Sequence, residues 1–411
     1  MGSKNKWSKR ETIEKLLSFY ATIEFKGGEE DLLKKPWRRV IRNEVDVSAY
    51  YEGHELNVAL NVLMCNPDVA DNYARNAAES YFAEEMILLK YRKEHAVETA
   101  IEELVEKFVS ILPVEMNVYM KVYGAEVKEI EHVGAFTFVP ANKFEALGIS
   151  GIPEAYIQNI KDKIWENSPH VSVAVKACDA NKAKVKAWEE FQWLENAIRL
   201  FLGSSFYDFG ITSFNFSRVE NAIVVQNGGH LKGTSSHLKG APMPFDLRKM
   251  FESNSPIRKM VEILGKDEML LNPIQRRLRH LVYLGGMAAH ETTLAMAYFL
   301  GVSALETFFK NDTDRYVSAS LAQQIVESVC FLVADEDKRR AVFEEMRPFY
   351  KNRSAFAHGG QKDIEQNDVR RVLEYLRIVV LKFLTDPILS KLQSAEEMAE
   401  LVRTRKFGAK S

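Results

Sequence analysis

Apolar residues along this chain recur at two spacings, and the change from one to the other organises it. In residues 97–112, Ile101, Leu104, Val105 and Phe108 fall three and four positions apart, the mark of a helix that buries one face, and Pro113 closes it. Residues 71–92 carry the same period. At 117–123 the period becomes two: Val118, Met120 and Val122 alternate with Asn117, Tyr119, Lys121 and Tyr123, as suits a half-buried strand. Residues 133–139, 171–176 and 222–226 read as strands too. Between the last two, 181–202 predicts a long amphipathic helix ended by Gly203, with Trp188, Phe191, Trp193, Leu194 and Ile198 as core rather than as a platform for stacking bases.

The glycine-rich stretch 227–244 is expected to be a loop or linker. Beyond about residue 247 every strong signal is helical, over 247–264, 273–284, 288–309, 317–333, 336–356, 368–384 and 394–403. The expected fold is an α+β N-terminal region over 1–245 followed by an all-α helical bundle over 246–411.

Composition narrows the classes without choosing among them. The chain has 411 residues, 46% hydrophobic and 27% charged, as in ordinary globular proteins. Its 55 basic and 57 acidic residues nearly cancel, so any nucleic-acid site must be local. Cys65, Cys178 and Cys330 fit neither a disulfide framework nor a zinc spacing. The basic start is not followed by a continuous apolar stretch, Gly2 makes no case for myristoylation, and runs such as 377–384 are too short to span a bilayer, so a cytoplasmic protein without membrane partners is expected.

Candidate chemistry gathers in Asn352–Gly360. Asp335 can cap a helix whose first turn holds Glu336 and Asp337, with Val342, Phe343, Met346 and Tyr350 on its apolar face. Pro348 is expected to bend this helix and Gly359–Gly360 to end it, which puts Arg353 and His358 in its last turns. Five residues of ideal helix turn by about 140° and rise by about 7.5 Å, so the two side chains do not stack. They converge if the helix unwinds near His358, or if both point into a cleft made with another chain.

An arginine fork suits a phosphate, and a histidine exchanges a proton near neutral pH. RNA supplies its own nucleophile, the 2′-hydroxyl, so such a pair requires no metal or cofactor. Spacing alone also admits a structural reading, with Arg353 paired to a carboxylate and His358 at a helix C-terminus, where a cation is favoured. Two basic clusters, Arg276, Arg277, Arg279 and His280 and then Lys338, Arg339 and Arg340, with Lys351, would bind RNA if they line the cleft, and are otherwise solvated helix faces. His-Leu-Lys-Gly occurs at 230–233 and again at 237–240, and is read as linker rather than as a metal or phosphate site. His290–Glu291 lacks the second histidine of a zinc-protease helix, since Leu294 stands there, and no phosphate-binding P-loop is present.

The segment Phe349-Tyr-Lys-Asn-Arg-Ser-Ala-Phe-Ala-His-Gly-Gly360 resembles the Arg-(four to six residues)-His motif of the HEPN ribonuclease superfamily, in its ApeA-like branch. Upstream, Ala304-Leu-Glu-Thr-Phe-Phe309 resembles that branch's Ala-Leu-Glu helix, and Ser328-Val-Cys-Phe-Leu332 falls where its second core helix would be. The resemblance covers roughly 270–390 and says nothing about 1–245. It implies an HEPN-like bundle that dimerises so that two motifs form one composite cleft. It also implies metal-independent RNA cleavage leaving a 2′,3′-cyclic phosphate and a 5′-hydroxyl, in antiviral defence or toxin-type growth arrest released by a phage-derived or other trigger. Arg353 and His358 match the motif's catalytic positions, Ser354 its polar residue, with Asn352 beside them, and Glu306 the acidic helix position. Some members keep the fold without catalysis, which leaves open a non-catalytic module that binds nucleotide, RNA or a partner protein. A purely structural bundle that serves oligomerisation is the third reading. Residues 1–245 would then be the sensor or regulator, by elimination.

Overall fold

The structure, a computed structural model, describes residues 7–25, 37–42, 45–149, 153–165, 168–202, 209–211, 219–226, 230–238, 244–310, 321–357 and 364–408. They divide into two compact units, Met1–Val118 with Ala174–Ala187, and Tyr119–Val173 with Trp188–Ser411. Residue 245, where composition changes, lies inside the second unit.

The first unit opens with α1 (Lys9–Thr22), whose N-cap Ser8 accepts from Glu11 N–H. An antiparallel hairpin, β1 (Trp37–Arg42) and β2 (Val45–Tyr50), follows, with Trp37 opposite Tyr50. Then come α2 (Gly53–Leu63), α3 (Pro67–Asn72), α4 (Arg75–Tyr91) and α5 (Val97–Ser110). The expected helix over 71–92 is interrupted at Tyr73–Ala74, where the Asp179 carboxylate takes the Ala74 N–H and also caps the helix that begins at Ala180. Phe19, Leu60, Phe82, Met86 and Phe108 meet in the core. Tyr73 stacks on Phe108 at 4.0 Å and donates its hydroxyl to the Phe108 carbonyl.

Strand β3 (Val114–Lys121) leads into β4 (Ala125–Glu126), β5 (Glu131–Val133) and β6 (Phe136–Val139). The single strand expected at 133–139 is a tight antiparallel hairpin, turned at Gly134 with φ of 59°. A Cβ at Gly134 would also meet the Val261 carbonyl at 2.8 Å, so this turn requires glycine twice over. After α6 (Glu154–Ile160), β7 (His170–Ala177) completes a four-stranded sheet in the order β3-β7-β6-β5.

His170 stacks on Trp165 at 3.9 Å and donates Nδ1–H to the Ser168 carbonyl. Burial holds its pKa below the ordinary 6.5, against the Ser168 hydrogen bond, which raises it. A histidine with a lowered folded pKa stabilises the fold above its unfolded value and loses that contribution as the pH falls toward the folded value. Stability measured by denaturation is therefore expected to drop on acidification below about pH 6.5, and less so in His170→Phe. An unchanged pH profile in that variant would exclude His170 as the source.

Helix α7 (Ala180–Leu202) follows the expected period, with Phe191, Leu194 and Ile198 buried, but Trp188 is 41% exposed and so is not core. Strands β8 (Val219–Gln226) and β9 (His230–Leu238) form an antiparallel pair, so 230–238, within the loop or linker expected over 227–244, is a strand, while 227–229 and 239–243 lie outside the described residues. Backbone pairing to the β-branched strand 219–226 defines β9, where side-chain pattern gives no signal.

After β10 (Phe245–Asp246), which pairs in parallel with β4, every assigned element is helical. These are α8 (Leu247–Met250), α9 (Pro256–Leu264), α10 (Pro273–His290), α11 (Leu294–Phe309), α12 (Leu321–Ser328), α13 (Arg339–Ala357), α14 (Gln366–Thr385) and α15 (Ala395–Phe407). The architecture is thus α+β followed by all-α. The helix expected over 247–264 breaks before Pro256, and the one over 288–309 breaks at Glu291, whose carboxylate turns back onto Thr292 and Thr293 N–H at 2.8 and 2.9 Å. Asn272 caps α10 in a reciprocal box with Gln275. Asn272→Ala is expected to cost about 1 kcal/mol in denaturant unfolding; no change would mean that Pro273 alone sets this helix start.

Helix α11 packs against α10, α13 and α14, and Phe308 meets Phe383 edge-on at 4.7 Å. Gly286 on α10 lies directly against α7: a Cβ there would come within 2.1 Å of the Asn196 carbonyl oxygen. Arg377 on α14 donates Nε–H to the Leu200 carbonyl near the end of α7 at 2.6 Å. No helix among the described residues is long and apolar enough to cross a membrane.

Candidate active site

Helices α11 and α13 bring together two residues that the sequence keeps far apart. Arg353 lies in the last described turn of α13, and its Nη2 is 2.9 Å from Glu306 Oε2 on α11. The side chains are 30% and 14% exposed, so the pair sits at a partly desolvated margin, open to solvent on the arginine side. Phe299, Ser303 and Glu306 follow one another at helical steps of four and three on α11, and the Arg353 guanidinium carbon lies 5.1 Å from the centre of the Phe299 ring. Burial pushes the Glu306 carboxyl above the usual range, and Arg353 opposes that shift. Tyr350, one turn before Arg353, is buried and held far above the ordinary phenol value, first by burial and then by the Glu306 charge.

Burial pushes the Tyr298 hydroxyl well above the ordinary phenol value, the Asp368 charge pushes it the same way, and Asn352 opposes both. Ser303 Oγ, Tyr350 Oη and Arg353 Nε are buried and, among the described residues, lack a hydrogen-bond partner. Sequence reasoning did not place Phe299, Tyr298 or Ser303 at the site, and it put Tyr350, inside the motif segment, on the apolar face of its helix without a role. Their signal was present only as helical spacing to Glu306 and Arg353, which apolar packing produces equally well.

The remaining candidates fall elsewhere or beyond description. His358 and Gly359–Gly360 lie outside the described residues, as do the side chains of Lys351 and Ser354 on α13. Helix α13 runs unbroken past Pro348 to Ala357. Asp335 precedes a single 3₁₀ turn, Glu336–Lys338, and does not cap it through its side chain; it pairs with Lys338 and Lys382 instead. The segment 329–333 is a buried π-helical turn, and burial pushes the Cys330 thiol up to about 11, away from thiolate reactivity.

Arg277 donates Nη1–H to the carbonyls of Phe308 and Lys310 and so closes the C-terminus of α11. Arg276 donates to the Glu268 carbonyl and lines a cavity of about 400 Å³ shared with Glu189, Glu190, Trp193 and Arg279. Acidic residues there match the basic ones, so the cavity does not present a cationic face. Arg339 lies over Phe331 at 5.1 Å and pairs with Glu336, while Arg340 is exposed. Both stand about 20 Å from Arg353 along α13, by helical rise.

The arrangement can offer one thing plainly, a partly exposed guanidinium on an aromatic face, held by a carboxylate whose burial makes it a reluctant anion. Comparisons with family models, with curated proteins and with solved structures find no match for this chain.

Proposed function

We propose that the chain is a metal-independent endoribonuclease of the HEPN type. Arg353 binds the scissile phosphate and stabilises the charge that builds on its oxygens, and His358 assists proton transfer. The 2′-oxygen loses its proton and bonds to phosphorus, the bond from phosphorus to the 5′-oxygen breaks, and that oxygen takes up a proton. The products are a 2′,3′-cyclic phosphate and a 5′-hydroxyl. The active form is a homodimer with a composite cleft, acting in the cytoplasm in antiviral defence or growth arrest, with residues 1–245 sensing the trigger.

The observation that supports this reading is the setting of Arg353, partly exposed at the end of α13 and oriented by Glu306 and Phe299, with the motif's histidine five residues on. The same ion pair favours a second reading, in which Arg353 fixes α13 to α11 and the bundle is a non-catalytic binding or oligomerisation module. Incubation of RNA in EDTA with wild type, Arg353→Ala and His358→Ala separates the two. Cleavage that leaves cyclic phosphate ends and is lost in both variants supports the nuclease, whereas undiminished cutting by both removes the motif from the mechanism.

A further inference from the structure

The Arg353–Glu306 pair sits beside hydroxyls that have no hydrogen-bond partner among the described residues. Tyr350 Oη and Ser303 Oγ are buried without partners among the described residues, as is Arg353 Nε. All three can donate, and Glu306 is the charged acceptor in their midst. Arg353 is the charged group that offsets the burial of Glu306. Removing it would leave a carboxylate of low exposure with no cation, a state that is strongly unfavourable.

We propose that Glu306 is a latch that competes with phosphate for Arg353, and that Tyr350 receives the carboxylate when Arg353 lets go. This rests on the reading of Arg353 as a phosphate ligand. A planar guanidinium fork engages one oxyanion well, and here Nη2 is already committed to Glu306. For a phosphate to win, Glu306 must lose its cation, and the Tyr350 hydroxyl, buried one helical turn before Arg353 and without a partner among the described residues, supplies a replacement donor. The latch neutralises the Arg353 charge and sets a threshold that weakly bound anions do not pass. Tyr350 is therefore a positioning residue, acting on Arg353 through Glu306.

The probe is a short single-stranded all-2′-deoxy oligonucleotide, which lacks the attacking hydroxyl and reports binding alone, applied to the full chain. Glu306→Gln is expected to bind it about tenfold tighter, the size of a modest charge-pair coupling. The gain should vanish when Arg353→Ala is added. Tyr350→Phe should weaken binding about threefold alone and have no effect on top of Glu306→Gln. A structural role would not make Glu306→Gln bind more tightly. Equal or weaker binding by a Glu306→Gln protein with an unchanged melting temperature overturns the latch. Should that variant fail to fold, Glu306→Asp carries the test, because the shorter side chain loosens the pair: a smaller gain supports the latch and no gain overturns it. RNA cleavage in EDTA, run in parallel, keeps the two ideas apart. Cleavage lost in Arg353→Ala without any gain in Glu306→Gln upholds the nuclease and removes the latch. A gain in Glu306→Gln with no cleavage by any variant upholds the latch and removes the nuclease.

Discussion

Metal-independent RNA cleavage is expected to fall by at least about a hundredfold when Arg353 is replaced by alanine, and by a similar or larger factor in His358→Ala. Charge accumulates on the phosphate oxygens as the 2′-oxygen attacks, and a preorganised cation at that point acts on the transition state more than on the ground state. The Arg353→Ala effect should therefore appear in kcat/KM with a large kcat component. Arg353→Lys, which keeps the charge and loses the fork, is expected to fall in between.

Arg353→Ala also has a consequence for the fold that must be separated from catalysis. It leaves Glu306 without the group that offsets its burial. A carboxyl with a raised folded pKa penalises the fold above that pKa, and the penalty disappears as the pH falls below the unfolded value. The Arg353→Ala protein should therefore gain stability, relative to wild type, on mild acidification. Loss of cleavage that persists at a pH where both proteins are equally stable reports on chemistry. Loss that disappears there reports on folding.

Gly286→Ala is expected to be strongly destabilising. Its Cβ would lie 2.1 Å from the Asn196 carbonyl oxygen and 2.4 Å from the Asn196 carbonyl carbon, and these atoms belong to the backbone of α7. Side chains can rotate away from an intruding methyl, but a helix backbone can only move as a body. The cost is expected to reach about 3 kcal/mol or more, at or beyond the upper end for overpacking. Gly301→Ala is the internal comparison, since its Cβ would meet Val372 Cγ1 at 2.6 Å, a side-chain atom that has somewhere to go. Gly408, with nothing within 4 Å, is the control for space, although its φ of 82° strains any other residue. Denaturation midpoints should rank Gly286→Ala well below Gly301→Ala. Equal midpoints would show that α7 and α10 can separate at little cost.

What the sequence made legible followed from periodicity that no other force interrupts. The steps through Phe191, Leu194 and Ile198 describe α7, and the run through Val379, Val380 and Phe383 describes α14. Breaks made by side chains were not legible. Apolar spacing continues straight through 288–309, whereas Glu291 folds back on the backbone of the next two residues and splits the run into α10 and α11. Strand β9 was hidden for the opposite reason, since glycine, serine and lysine carry no alternation and its partner strand alone defines it.

At the site, chemistry-bearing residue types pointed to Arg353, and resemblance pointed to Glu306. That the two touch is a fact of α11 packing on α13, which no local pattern encodes. Tyr350 and Ser303 look like ordinary helix residues until their hydroxyls are found buried and unsatisfied among the described residues.

The hydrogen bond from Arg377 to the Leu200 carbonyl bears on how this gene can be divided. A cut near residue 245, where composition invites one, would place α7 on one fragment and α14 on the other. The first fragment would carry a helix end without the guanidinium that caps it. The second would expose the glycine groove of α10, shaped to the backbone of Asn196. Any truncation meant to isolate the helical half has to begin upstream of α7, so that the seam between the two stretches of chain travels with it.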